Sequence, residues 1–201
     1  GRTLIRAADA GVPALGYVVD YGDLFARLRV EAGRAGIPRA PAPSDPLLTV
    51  HAEGASDEAV VKRYGQDAVV AAVRADPPAG TTAWERLTPG GPLAMLPLGG
   101  RYGLVWGMQP ERAQALCGAA EPAFLEALGE ALGGRLGRLC AVEDRHVAPL
   151  ALRVRPSRIG ERCAYVGNAS QTLHPVAGQG LNLGLRDAWE LRSEEHTSEL
   201  Q

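Results

Sequence analysis

The stretch Gly167-Asn168-Ala169-Ser170-Gln171-Thr172-Leu173-His174-Pro175-Val176-Ala177-Gly178-Gln179-Gly180-Leu181-Asn182 decides how this chain is read. It follows a short apolar run, Arg162-Cys163-Ala164-Tyr165-Val166, whose composition predicts a strand, and it leads into a segment that predicts a helix over 180–191. Strand, glycine-bearing loop and helix start, in that order, form an anion and ring site. Gly178 and Gly180 let the backbone approach a ligand closely. The free N–H groups of the first helical turn, reinforced by the helix dipole, favour a phosphate or a developing anion. Pro175 stiffens the approach. Ser170 sits in no GxSxG elbow, which removes a hydrolase reading.

Outward from that loop, the 201 residues suit one domain or two small ones. With 21 Lys plus Arg against 23 Asp plus Glu, no basic stripe exists to neutralise a phosphate backbone, and nucleic acid is excluded as a partner class. No apolar run reaches the ~20 residues that a membrane-spanning helix needs. Cys117, Cys140 and Cys163 are odd in number and form no CxxC pair, which argues against a disulfide framework and a zinc site and for a reducing compartment. No metal site is expected. His51 and His146 have no partner at ligand spacing and read as exposed or structural histidines.

Residues 15–36 carry Leu24, Phe25, Leu28, Val30 and Ala32 at helical spacing, with Asp20 or Asp23 as the cap. Four prolines in residues 37–46 predict an extended loop. Residues 47–50 read as a short buried strand, and Ser56 and Asp57 supply turn chemistry after it. Strands are predicted at 67–74, 82–87, 93–98 and 102–107, a spacing of roughly ten residues that indicates an antiparallel sheet with a hairpin turn at 98–102. Lys62 falls in a turn before that sheet. Residues 110–132 predict one or two helices, opened by Pro110 and ended by Gly118 and Gly133, and 148–154 predict a further strand. Leu93, Met95, Leu96, Leu104 and Trp106 wall a pocket or form core, and alternation alone does not sort which. Glu85-Arg86 and Asp144-Arg145 read as solvated or locally paired charges.

Both ends look unnatural. The chain opens at Gly1 with neither an initiator Met nor a signal-type apolar core, and this start reads as a truncation. Residues 192–201, RSEEHTSELQ, lack the Ala, Gly and Pro that crowd the rest. In one frame they are the translation of a common short-read sequencing adapter. The tail is therefore read as an artefact and left out of fold reasoning, so His196 carries no function.

The string GNASQTLHPVAGQGLNLGLRD from Gly167 to Asp187 resembles the signature of the flavin-dependent aromatic hydroxylases with the para-hydroxybenzoate hydroxylase fold, and within them the ubiquinone-biosynthesis hydroxylases of the UbiH type. It departs only at Ser170. Tyr64-Gly65-Gln66, Glu85-Arg86-Leu87-Thr88-Pro89 with Gly91-Pro92-Leu93-Ala94, Leu96-Pro97-Leu98 and Leu104-Val105-Trp106 resemble the same subfamily in its order. The resemblance implies an α/β fold with α+β elements: the C-terminal part of an FAD-binding Rossmann-like domain plus an antiparallel-sheet substrate domain, truncated at both ends. Residues 1–14 would be a substrate-domain strand, 15–56 part of the FAD-binding domain, 57–156 the antiparallel-sheet substrate domain and 157–191 an FAD-binding segment.

The implied function is an FAD-dependent aromatic ring monooxygenase that hydroxylates a polyprenylated phenol in ubiquinone biosynthesis. NAD(P)H would supply the electrons and O2 the oxygen. Asn168 stands where the wider fold has Asp and would accept a ribityl hydroxyl through its amide oxygen. Gly178, Gln179, Gly180, Leu181 and Asn182 would set backbone N–H groups against the pyrimidine edge of the flavin, with Gly167 opening the turn and His174 and Pro175 lining the ring face. Glu53-Gly54 looks like the family's second motif, usually Asp-Gly. No side chain is singled out as a catalytic acid or base. A prenyl tail would draw a cytoplasmic enzyme to the inner-membrane surface, or to sister enzymes, without a spanning helix.

The sequence departs from the family in lacking a GxGxxG after a first strand, which truncation before Gly1 would explain, and in the short stretch 37–46. As written, the chain is expected to hold FAD poorly and to be inactive. The other readings are another flavin oxidoreductase of the same fold, including a halogenase, and a non-catalytic fragment. A halogenase would want a dedicated Lys near the flavin, and Lys62 is the only lysine.

Overall fold

The computed structural model describes residues 3–39, 45–54, 58–173 and 178–198. Its larger sheet joins β2 (Val60–Asp76), β3 (Trp84–Thr88), β4 (Gly91–Leu98), β5 (Arg101–Met108), β6 (Arg138–Val154) and β9 (Gln171–Thr172) in the order β3-β4-β5-β2-β6-β9. All its pairings are antiparallel. The hairpin between β4 and β5 turns on Gly99 and Gly100, with φ of 58° and 81°. A two-residue turn with both residues left-handed matches the twist of the strands it joins, and glycine adopts it without strain.

Two strands are longer than the sequence pattern predicts. β2 begins at Val60, not at residue 67, and Lys62 lies inside it opposite Leu152 instead of in a turn. A register shift between Arg63 and Asp67, where Gly65 has φ 67°, breaks the two-residue period there and disguises the strand. β6 begins ten residues before the expected strand, at Arg138, because a second shift, with Asp144 at φ 55°, interrupts its alternation.

α2 (Pro110–Cys117) and α3 (Glu121–Leu132) enter on prolines, whose missing N–H costs nothing in a first turn, and end at Gly118 and Gly133. They cover one face of the sheet. Val69, Ala71, Val73, Leu93, Met95, Leu104, Trp106 and Met108 alternate onto that face and meet Ala113, Phe124, Leu128 and Leu132. Leu93, Met95, Leu104 and Trp106 are therefore core, whereas the even-numbered Leu96 points to the opposite face. Arg86 and Arg145 do not pair with their sequence neighbours. They donate to the carbonyls of Ala131 and Ala119, near the ends of α3 and α2.

The smaller sheet holds β1 (Thr49–His51), β7 (Ile159–Gly160) and β8 (Cys163–Tyr165) in the order β1-β8-β7, with β1 and β8 parallel. α1 (Tyr21–Arg34) is capped by Asp20, whose carboxylate accepts from the N–H groups of Gly22 and Asp23. Its apolar stripe, with Phe25 and Leu28, stays exposed. Of the segment expected as a buried strand at 47–50, only Thr49 and Val50 lie in β1, and it is not buried: Leu47, ahead of the strand, is 91% exposed, and Val50, with β8 as its strand's neighbour, is 43% exposed.

The segment 1–14 is expected as a strand, but among its described residues, 3–14, the regular element is a 3-10 turn, Ala7–Ala10, closed by Gly11 at φ 64°. Its hydrogen bonds are local, from Gly11 N–H to Ala8 O and Val12 N–H to Ala7 O, and no neighbouring strand receives it. α4 (Gly180–Ser198) runs past Leu191 through most of the tail. That tail contains neither Gly nor Pro, so nothing in it stops a helix already begun. Ser56 and Asp57 lie outside the described residues.

Candidate functional site

β1 and β8 run side by side, His51 opposite Tyr165, so the two strands end at one edge and their loops leave together. Ala52-Glu53-Gly54 follows β1, and Val166-Gly167-Asn168 follows β8. The N–H of Val166 donates to the His51 carbonyl at 2.9 Å, which carries the pairing into the loops. Carboxyl ends of adjacent parallel strands are where open α/β sheets bind their ligands. The sequence read Glu53-Gly54 and Gly167-Asn168 as two separate motifs, and the structure brings them to the same edge.

Gly167 opens a 3-10 turn, Gly167–Ala169, with φ 56°. Its N–H donates to Asp187 Oδ2 at 3.0 Å, which ties the turn to α4. A side chain begun at Gly184 would stand 3.3 Å from the Gly167 Cα, so glycine at 184 is what lets helix and turn approach. Asp187 is mostly buried, and Arg158 Nη1 lies 3.9 Å from its other oxygen. Sequence reasoning did not single out Asp187. Its place as the last residue of the quoted string was the available signal.

At the start of α4 the Gln179 carbonyl accepts from Leu183 N–H at 2.9 Å. The N–H groups of Gly180, Leu181 and Asn182 precede any intrahelical acceptor and are available to a ligand. Glu53, Gly54, Asn168, Gly178, Gln179, Gly180, Leu181 and Asn182 are all exposed. Among the described residues, nothing lies within 4 Å of where a side chain would begin at Gly54, Gly178 or Gly180. The site is thus an open cradle rimmed by the first-turn N–H groups of α4, the exposed Glu53 carboxylate and the exposed amides of Asn168, Gln179 and Asn182. His174 and Pro175 lie outside the described residues. Among the described residues, no three His, Cys, Asp or Glu side chains converge as metal ligands.

Behind the edge, His51 stacks on Tyr165 with ring centroids 4.8 Å apart, and the Arg155 guanidinium lies 3.6 Å from the Tyr165 centroid. Arg155 also pairs with Glu58 at 2.6 Å. His51 is therefore a packing group. The Cys163 thiol, 3.9 Å from the Tyr165 hydroxyl, pushes that phenol above the ordinary tyrosine value, with a smaller push from desolvation, while the Arg155 cation pulls it down.

Ser170, the one departure within the matching string, is 1% exposed, and its Oγ has no hydrogen-bond partner among the described residues. A buried hydroxyl without a partner costs about 1–3 kcal/mol. Ser170→Ala is expected to raise stability by about 1 kcal/mol, read as a higher midpoint in urea with an unchanged slope. A lower midpoint would show that the hydroxyl is satisfied.

No family model matches the chain. Ubiquinone hydroxylase UbiL of Rhodospirillum rubrum is 37% identical over 62% of the chain and 29% of its own length. The 3-demethoxyubiquinol 3-hydroxylase of Escherichia coli is 32% identical over 62% of the chain and 32% of its own length. The mitochondrial ubiquinone biosynthesis monooxygenase COQ6 of Caenorhabditis elegans is 33% identical over 62% of the chain and 36% of its own length. The chain spans about a third of the length of these relatives.

Among solved structures, pqsL of Pseudomonas aeruginosa, described as a probable FAD-dependent monooxygenase, superimposes with a TM-score of 0.56 at 21% identity, over 71% of this chain and 44% of that one. The p-nitrophenol 4-monooxygenase PnpA of Pseudomonas putida does so with a TM-score of 0.52 at 18% identity, over 72% of this chain and 39% of that one. The chain is thus similar to one part of the ubiquinone-biosynthesis hydroxylases, and over about seven tenths of its length it shares the fold of these two monooxygenase structures.

Proposed function

We propose that this chain is the cradle-and-sheet portion of an FAD-dependent monooxygenase that hydroxylates the ring of a polyprenylated phenol in ubiquinone biosynthesis, with NAD(P)H as reductant and O2 as oxygen donor. In this reading the small sheet with α1 and α4 belongs to the cofactor domain, and residues 57–156 form the substrate domain. The observation that carries it is the meeting of the Glu53-Gly54 and Gly167-Asn168 loops at one strand edge, beside the free N–H groups of α4.

The cradle fits the cofactor. Space at Gly54, Gly178 and Gly180 admits a flat ring and its ribityl chain, and the donors match the oxygens and ring nitrogens of a flavin. Asn168 would hold a ribityl hydroxyl, while the N–H groups of Gly180, Leu181 and Asn182 would hold the pyrimidine edge. When bound, FAD supplies the oxygen-activating redox chemistry. The chain's own residues bind the ring, orient it and stabilise charge gathering at its pyrimidine edge through the dipole and N–H groups of α4. No helix among the described residues is long and apolar enough to cross a membrane. Attachment to the inner-membrane surface would come through the prenyl tail of the substrate.

Titration of the chain with FAD, followed by flavin fluorescence, tests the cradle. Quenching that saturates and is lost in Gly180→Pro, which removes one N–H at the helix start, supports the reading. Absence of quenching at any FAD concentration in a folded protein that carries this chain together with a nucleotide-binding segment rejects it. Consumption of NAD(P)H and O2 with a prenylphenol, measured on a protein that carries this chain together with a nucleotide-binding segment, tests the activity.

A further inference from the structure

At the end of the large sheet farthest from the cradle, the connection from β2 to β3 and the loop from α3 to β6 leave a groove between them. Pro77 and Pro78 come from the first, Arg135 and Leu136 from the second, and Trp84 and Tyr102 from the sheet; the groove encloses about 310 Å³. That volume is at the lower end of the range of ligand-binding clefts. At this end of the long strands Asp76 pairs with Arg138, whereas at the other Val154 of β6 pairs with Gln171 of β9, just after the Gly167–Ala169 turn. The 17 residues of β2, at roughly 3.3 Å each, put on the order of 50 Å between the two ends. The groove also lies on the helical side of the sheet, because Trp84 pairs with Met95 and Tyr102 belongs to the cluster under α3. It is therefore separate from the cradle and from the open sheet face.

Two polar groups in it are left without partners. The Tyr102 ring is 6% exposed, and its hydroxyl makes no hydrogen bond among the described residues. Ser170 Oγ is the one unpartnered side-chain atom that is sealed from solvent among those residues, so the Tyr102 hydroxyl is open, and the groove that its ring lines is the opening. Arg135 is exposed and has no ion pair or hydrogen bond among the described residues. Its cationic neighbours are all engaged: Arg138 pairs with Asp76 at 3.3 Å, Arg101 with Glu143 at 3.7 Å, and Arg86 donates to the Ala131 carbonyl. The groove thus carries one uncompensated positive charge.

Its apolar lining narrows what that charge serves. Exposed prolines beside a tryptophan and a tyrosine offer rigid, flat surfaces, the kind on which prolyl rings pack. A polyproline II segment is stiff before it binds and has no internal hydrogen bonds, so each of its carbonyls is free to accept from a donor such as a tyrosine hydroxyl. We infer that this groove docks a proline-rich, acidic segment of a partner protein in the polyproline II conformation. Prolyl rings lie against Trp84, Pro77 and Pro78, the Tyr102 hydroxyl donates to a peptide carbonyl, and Arg135 pairs with a carboxylate of the segment. The unmatched cation selects an acidic segment over a basic one. None of this depends on the cofactor reading.

The test is calorimetric titration of the 201-residue chain with the capped synthetic peptide Pro-Pro-Ala-Pro-Asp-Pro-Pro. Saturable binding is expected, and the indole N–H resonance of Trp84 should shift along the same curve. Tyr102→Phe keeps the ring and removes only the hydroxyl, so it should weaken binding about threefold to tenfold. Arg135→Glu should weaken it about tenfold, and a peptide with Lys in place of Asp should recover the loss on that variant while binding the unaltered chain poorly. Both variants should match the unaltered chain in circular dichroism. Absence of binding to the folded chain at millimolar peptide, equal affinity for the two peptides, or affinity unchanged in both variants overturns the inference. So does a dimer in sedimentation that Arg135→Glu dissolves, since the occupant is then a second copy. FAD quenching should be the same with and without peptide, so failure of either reading leaves the other standing.

Discussion

Phe124→Ala is expected to cost about 3–5 kcal/mol of stability. Phe124 is 0% exposed, and it sits where α3 meets the helical face of the sheet among Val69, Leu104, Leu128 and the rest of the one buried cluster. Among the described residues the core is a sandwich of two short helices on one sheet face, with no second layer there to close over the void. Removing the ring forfeits its transfer free energy and leaves a cavity whose walls, α3 and β6, are held at both ends and collapse only partly. Arg145 loses as well, because its guanidinium packs over that ring while donating to the Ala119 carbonyl. Urea unfolding followed by tryptophan fluorescence reads the change, since Trp106 lies in the same cluster. A loss below about 1 kcal/mol would mean that the helices do not hold the sheet face as described.

The same cluster shows how far the sequence could be read. The short strands announced themselves: Gly99-Gly100 between two apolar runs specifies a hairpin, and Pro110, Gly118 and Gly133 bracket two helices. These signals are local, and β4, β5, α2 and α3 follow from them. β2 and β6 were read short because each contains a register shift, and a period-two pattern is blind beyond the point where one extra residue flips its phase. Which of Leu93, Met95, Leu96, Leu104 and Trp106 faces the helices was undecided for a different reason. Both faces of this sheet are apolar, so alternation carried no contrast, and only the position of α3 assigns them.

For the cradle, Gly167, Asn168 and Gly178 to Asn182 were visible as a strand, a loop and a helix start in one string. That Glu53-Gly54 joins them was carried by resemblance and appears physically only in the parallel register of β1 with β8. Asp187 escaped notice because its role is a backbone hydrogen bond across twenty residues, and nothing in the residue itself signals an acceptor for a glycine N–H.

Asp187→Ala should weaken FAD binding by about 10- to 100-fold, which is what about 1.5–3 kcal/mol for a hydrogen bond to a charged group becomes when the bond is needed to hold the bound shape. In the folded chain the carboxylate receives the Gly167 N–H at 3.0 Å, and Arg158 stands 3.9 Å from its other oxygen. Gly167 has φ 56°, a conformation it shares with many others when free, and the contact with α4 is what selects it. Once Asp187 is gone, the part-buried N–H loses this acceptor and the turn gains alternatives. Asn168, the next residue, then spends less time where it can meet a ribityl hydroxyl. Asp187→Asn keeps an acceptor oxygen but loses the charge and the attraction to Arg158, so a smaller loss, about threefold to tenfold, is expected. Fluorescence titration with FAD gives the affinities, and amide hydrogen exchange at Gly167 gives a readout independent of the cofactor: exchange should quicken in Asp187→Ala and much less in Asp187→Asn. Faster exchange with unchanged FAD affinity would separate the pin from the cradle, and would mean that the ring is held by the start of α4 alone.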